Sequence, residues 1–171
     1  MLWYLLLIGA VAVERIAELV VSLHNLNWSK RRGGVESGAG HYPAMVTLHT
    51  GLLAGCLLEA GLLHRPFLAL LGWPMLVLVL ASQALRWWCI ATLGRQWNTR
   101  IVVVAGLTPV STGPYRWLRH PNYVAVVVEG AALPLVHTAW LTAAAFTLLN
   151  AVLLRVRIHA ENGALKTMAS A

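Results

Sequence analysis

Gly113-Pro114-Tyr115-Arg116-Trp117-Leu118-Arg119-His120-Pro121-Asn122-Tyr123 sets two arginines, a histidine and two tyrosines against an apolar hairpin. That hairpin ends in Arg155-Val156-Arg157-Ile158-His159-Ala160-Glu161-Asn162. Oily segments surround both clusters, so their polar side chains are solvated only by water at a membrane surface, by one another or by a bound guest. The reading of the whole chain turns on these two clusters.

Working outward, the 171 residues are 58% apolar with a mean hydropathy of +0.68, too oily for a water-soluble domain of this size. The composition predicts an all-α integral membrane protein. About 20 apolar residues cross the hydrocarbon core as a helix, and residues 2–23, 43–63, 67–92, 122–136 and 139–158 are five candidate spans. The fourth is short, about 23 Å by helical rise, and Pro134 lies near its end. His137-Thr138 leaves room for a tight turn only, which predicts an antiparallel helical hairpin. We expect one membrane domain over 1–171, with three helices in 1–92 and the loop, hairpin and tail in 93–171. The apolar run from Leu2 lacks a basic leader and a small-residue cleavage site, so it reads as a retained first helix rather than a signal peptide.

There is no aspartate, and thirteen Lys+Arg give a net charge of +7. In a soluble protein this would suggest an anionic partner such as nucleic acid. Here the cations fall in loops beside apolar spans, where they set orientation, and no nucleic-acid partner is expected. Cys56 and Cys89 lie inside apolar segments without a CxxC or Cys/His pattern, which suggests neither a disulfide nor a metal site. Residues 24–41 read as a glycine-rich polar loop of little intrinsic order. Gly94 to Pro121 is too broken by glycine and proline for one helix and too apolar for a free linker, so it is expected to fold back and cover a cavity.

Glu14 sits about 18 Å along the first helix, one turn from Glu18 and beside Arg15. Charges at that depth must face protein or water. A pair between Glu18 and Arg86 is expected; the alternative is that Glu14, Glu18 or His49 lines a pocket. Glu59 and Glu129 are expected near helix ends or paired within the bundle. On the fifth span Asn150, Leu154, Arg157 and Glu161 share one helical stripe, with Arg155 on roughly the opposite side. The bland reading of that stripe is an Arg157–Glu161 pair at the interface.

The loop Gly113-Pro114-Tyr115-Arg116-x-x-Arg119-His120-Pro121-x-Tyr123, followed by an apolar hairpin closing with Arg157-x-x-x-Glu161, resembles the signature of the isoprenylcysteine carboxyl methyltransferase family and the related membrane phospholipid methyltransferases. Leu93-Gly94-x-x-Trp97-Asn98 and Gly106 to Thr112 extend the likeness to about residues 93–165. Glu14-Arg15-Ile16-Ala17-Glu18-Leu19, Asn25 and His41 to His49 resemble a bacterial subgroup associated with type III polyketide synthases. The resemblance implies S-adenosylmethionine-dependent methyl transfer inside a bacterial plasma membrane, to an oxygen of a lipophilic acceptor entering from the bilayer. A long-chain alkylresorcinol or alkylpyrone is the favoured acceptor; an isoprenylcysteine carboxylate or a phospholipid amine is the alternative.

The same resemblance implies that Tyr115, Arg119, His120, Pro121, Tyr123 and Glu161 bind the cofactor, with Arg157 orienting the acceptor oxygen, helped by Asn150, and no metal involved. The chain has no G-x-G-x-x-G fingerprint, so the loop and hairpin must hold the cofactor. Asn162 stands where many relatives have a second glutamate, and Ala125 where a glycine is common. A hydroxyl acceptor would need its proton removed, and His120, His49, Glu14 and Glu18 remain open as bases. From another class, Asn162 motivates an inactive lipid-binding scaffold; a transporter-like bundle is disfavoured because the five unequal spans show no internal repeat.

Counting cations on either side of a five-span arrangement gives Lys30, Arg31, Arg32, Arg95, Arg100, Arg116, Arg119, Arg157 and Lys166 against Arg65 alone. This predicts an external N-terminus and a cytoplasmic C-terminus. A fluorescent protein fused to the C-terminus is expected to mature and fluoresce, and alkaline phosphatase fused there to be inactive; the reverse pattern would invert the topology.

Overall fold

The computed structural model describes residues 2–169. Five helices carry the architecture: α1 (Leu2–Lys30), α2 (Tyr42–Leu62), α3 (Ala69–Leu93), α4 (Pro121–Leu135) and α5 (Trp140–Ala169). Two short strands, β1 (Val35–Ser37) and β2 (Ile101–Val103), pair antiparallel with Val35 opposite Val103 and Ser37 opposite Ile101. Helices α2, α3 and α5 are long and apolar enough to cross a membrane.

The other two helices occupy the remaining candidate spans. Helix α4 has 15 residues, and α1 carries Glu14, Arg15 and Glu18 within its length. The buried face of α1 runs Tyr4, Ile8, Val11, Glu18, Ser22, Asn25, Ser29, a helical repeat that is apolar in its first half and polar in its second. That polar half corrects the loop expected from residue 24. The helix continues to Lys30 because its stripe finds partners in the segment after α3. Asn25 Nδ2 donates to the carbonyls of Gly94 (3.0 Å) and Trp97 (2.7 Å), and Ser22 Oγ accepts the backbone N–H of Thr99 at 3.0 Å. The remainder of that glycine-rich stretch is ordered through the β1–β2 pair.

Glu18 and Arg86 pair as expected, at 3.1 Å, within a larger group. Arg15 bridges Glu18 at 2.7 Å, and Arg15 and Arg86 both bond the carboxylate of Glu129. Two cations and two anions from α1, α3 and α4 neutralise one another where Glu18, Arg86 and Glu129 are each buried. Below this group, Tyr4, Leu52, Cys56, Val79, Leu133 and Phe146 form the apolar core. Helices α4 and α5 approach so closely that a methyl group on Gly130 would overlap the ring of Phe146.

The hairpin between α4 and α5 is held by groups from elsewhere in the chain. Thr138 adopts φ 53°, a left-handed conformation costly for a β-branched residue, and its hydroxyl donates to the carbonyl of Pro66 at 2.8 Å. Glu59, on α2, caps the start of α5: its carboxylate accepts the N–H groups of Leu141 (3.1 Å) and Thr142 (2.7 Å) and the Thr142 hydroxyl (2.8 Å). An anion at the amino end of a helix satisfies orphan donors and opposes the helix dipole favourably. Helix α5 outruns the expected apolar span by several turns, so Arg157 and Glu161 are both helical.

The shared carboxylate of Glu129 is the sensitive point of the charged group. Glu129→Ala leaves the buried guanidinium of Arg86 and the partly buried one of Arg15 short of an anion, and breaking a buried pair costs about 3–5 kcal/mol. Thermal unfolding of the detergent-solubilised protein is expected to register a large drop for this variant. Glu36→Ala, which removes a partly exposed ion pair, is expected to change stability by no more than about 1 kcal/mol.

Candidate functional site

A cavity of about 850 Å³ lies between the polar half of α1, the face of α2 that begins at Met45, the folded-back segment after α3, and the converging ends of α4 and α5. The segment covering it behaves as the sequence suggests. It leaves α3 through Gly94 at φ 53°, contributes β2 to the small sheet, and returns through the single turn Gly113–Arg116. Gly113 is required there, because its φ is 55° and a methyl group would meet Thr92 and the indole of Trp88. Trp117 packs edge-on against Trp88, ring centroids 5.9 Å apart. Across the sheet, Arg100 donates to Glu36 at 2.8 Å and lies over the Tyr42 ring at 4.1 Å. The hydrogen bond to Glu36 raises the Arg100 pKa above its ordinary value. Burial, reinforced by nearby Cys89, pushes the Tyr115 hydroxyl upward, so it stays a neutral donor at the wall.

Helix α4 starts at Pro121, where a fixed φ and a missing N–H suit the first helical position. His120 precedes it as the cap residue. This geometry turns His120 and Tyr123 toward the end of α5. The Tyr123 hydroxyl donates to Glu161 Oε2 at 2.7 Å, His120 Nδ1 lies 3.6 Å from the same oxygen, and the two rings stack at 5.3 Å. One turn back along α5, Arg157 is buried. It is not paired with Glu161: Nη2 donates to the carbonyl of Thr99 at 2.8 Å, Nη1 meets Met45 Sδ at 3.0 Å, and the guanidinium lies 5.9 Å from the Tyr123 ring centroid. Arg155 is exposed on the other side of the helix.

Of the eight residues singled out from sequence, Tyr115, Arg119, His120, Tyr123, Asn150, Arg157 and Glu161 all line this cavity. Pro121 stands apart. It is fully buried and off the wall, and it acts on the site by fixing where α4 begins. Asn162 is also on the wall, as are Glu18 and His49, whereas Glu14 is not; its carboxylate accepts the indole N–H of Trp87. Ala125 is fully buried in the helix packing.

Sequence reasoning missed Met45, Thr99 and a set of buried polar atoms without partners among the described residues: Trp97 Nε1, Asn98 Nδ2, His120 Nε2 and Asn122 Oδ1. All four side chains border the cavity. A buried donor or acceptor left unpaired is costly, so such a cluster marks where a guest would complete the hydrogen bonding. The arrangement is a wall with one free-standing carboxylate, stacked aromatic rings and orphan donors at one end, a buried guanidinium in the middle, and a neutralised ion group at the other end.

Two comparisons bear on this geometry. The model of the isoprenylcysteine carboxyl methyltransferase (ICMT) family matches residues 75–167. A Bacillus subtilis (strain 168) protein, "Uncharacterized protein YpbQ", is 40% identical over 167 residues, which is 97% of each chain.

Proposed function

Since the chain belongs to the isoprenylcysteine carboxyl methyltransferase family and is an integral membrane methyltransferase, we propose that it uses S-adenosylmethionine to methylate an oxygen of a lipophilic acceptor. The observation that carries this reading is the convergence of His120, Tyr123 and Glu161 with Arg157 on one cavity wall. Its volume of about 850 Å³ is at the upper end for ligand sites, roughly 300–1,000 Å³, and accommodates a nucleoside cofactor beside the head of a second reactant.

The residues suit the cofactor group by group. Glu161 offers a carboxylate to an ammonium, Arg119 a cation to a carboxylate, and Tyr115 and Tyr123 aromatic faces to an adenine or a sulfonium. The unpartnered atoms of Trp97, Asn98, His120 and Asn122 supply further donors and an acceptor. When bound, S-adenosylmethionine provides an electrophilic methyl on a positively charged sulfur. The remaining work falls to this chain: holding the acceptor oxygen in line in a dry pocket. Arg157 is fixed by Thr99 and Met45 and so presents its positive charge without the entropy loss of a free side chain. In this reading it orients the acceptor oxygen, with Asn150 two turns along the same helix. Asn150 is buried and its side-chain amide makes no hydrogen bond with another described residue, which leaves that amide for the guest.

The long apolar faces of α2 and α5 beside the cavity favour an acceptor with a polar head and an oily tail. A long-chain alkylresorcinol or alkylpyrone is our preferred example.

Arg157→Ala is expected to abolish turnover while cofactor affinity stays within a few-fold. Glu161→Ala is expected to weaken cofactor binding by about 10-fold or more, the loss of one charge-assisted hydrogen bond. Calorimetry with S-adenosylmethionine on purified protein, together with label transfer to lipid acceptors identified by mass spectrometry, checks both. Normal binding and normal activity in both variants would reject the reading.

A further inference from the structure

Resting on the methyl-transfer reading above, we propose that His49 is the base of the reaction, and that the acceptor is accordingly a neutral hydroxyl on an oily molecule, a phenol or an enol. His49 Nδ1 lies 2.9 Å from the carbonyl oxygen of Met45. A carbonyl only accepts, so Nδ1 carries the hydrogen, and in the neutral ring the lone pair is on Nε2. Nε2 has no partner among the described residues, and the residue borders the cavity. The ring is steadied by Phe146, which meets it at 90° with centroids 5.5 Å apart.

Its level in the cavity follows from the antiparallel run of α2 and α5. Met45, one turn from His49, touches Arg157; Phe146, one turn from Asn150, touches His49. His49, Asn150 and Arg157 therefore stand along one wall within about two helical turns, about 11 Å of rise. An acceptor oxygen held by Arg157 would share one cavity with the lone pair of His49.

The other candidate bases on the wall are paired or stand at the cofactor's end. Glu18 is paired with Arg15 and Arg86. Glu161 accepts from Tyr123, and His120, whose Nδ1 faces Glu161, belongs to the end of the cavity assigned to the cofactor. The charged groups facing His49 are Arg15 from α1, Arg86 from α3 and Glu129 from α4. They belong to the mutually neutralised group, so none is free to pair with the imidazole. An unengaged lone pair repels a carboxylate and welcomes an O–H. Carboxylates also arrive ionised and need no base, whereas a phenol, with a pKa of about 10, does.

In the step itself, the acceptor oxygen forms a bond to the methyl carbon as the carbon–sulfur bond breaks and its electron pair stays on sulfur. The O–H proton passes to His49 Nε2, leaving an imidazolium that loses its proton to water as product departs. The positive charge moves from sulfur to imidazole, and nothing is oxidised or reduced.

The test uses the full chain in detergent with labelled S-adenosylmethionine and three probes: a long-chain alkylphenol, its more acidic ring-nitrated analogue, and a long-chain fatty acid. His49→Ala and His49→Gln are expected to bind the cofactor normally and to lose about 100-fold or more in kcat on the alkylphenol, with the nitrated phenol restoring most of the rate. An equal loss on both phenols would make His49 merely structural and overturn the proposal, as would no loss at all, or a wild type that methylates the fatty acid and neither phenol. Wild-type protein that fails to bind the cofactor by calorimetry would instead overturn the methyl-transfer reading, and the base with it. Thermal unfolding of both variants separates misfolding from lost chemistry, since the nitrated phenol must still turn over in a folded variant.

Discussion

The ion group of Arg15, Glu18, Arg86 and Glu129 is the constraint on which the rest of the molecule depends. Four charges removed from water in an apolar bundle persist only when each faces its opposite, and this fixes the depth and rotation of α1 against α3 and α4. From there the register is transmitted along α1. Ser22 and Asn25 lie one and two turns beyond Glu18, and they hold the backbone from Gly94 to Thr99. Thr99 in turn offers the carbonyl that secures Arg157. A charge pairing in the bundle thus determines where a guanidinium on the last helix stands.

The cavity built this way is graded. At the end where α4 begins, Glu161, His120 and Tyr123 form a polar cluster with unpartnered donors close by. Farther along α5 the wall becomes Arg157, then Asn150, then the aromatic contact of Phe146 with His49. The wall thus passes from charged and polar to aromatic along one helix. The neutralised ion group closes the far end without presenting a net charge to the oily partner.

Much of this was legible in the chain itself. The apolar runs located all five helix cores, the Glu14–Arg15–Glu18 spacing demanded buried partners, and the i, i+4, i+7, i+11 stripe on α5 put Asn150, Arg157 and Glu161 on one wall. What escaped was everything decided by tertiary neighbours. Residues 24–30 look like loop because Asn25 and Ser29 are poor helix formers in isolation, yet the Asn25 side chain is satisfied by the segment after α3 and the Ser29 carbonyl by the N–H groups of Arg32 and Gly34. The strands β1 and β2 have three residues each, too few to leave a periodic signal, and they form only because two loops are brought side by side. Met45 carries no signal at all; a methionine in an apolar helix is indistinguishable from core until Arg157 is seen against its sulfur. Pro121 was read as a contact residue when its effect is on the backbone, since a conspicuous motif does not reveal which of its members touch the guest and which set the turn.

The small sheet has a wider meaning. One strand comes from the link between the first two helices and the other from the link between the third and fourth, and only the latter belongs to the region shared across the family, residues 75–167. The cavity is therefore walled on one side by residues that the family model matches and on the other, with Met45 and His49, by residues outside that match. A change on the unmatched side can therefore reshape the cavity while the matched side stays in place, and the sheet is the seam along which the two are joined.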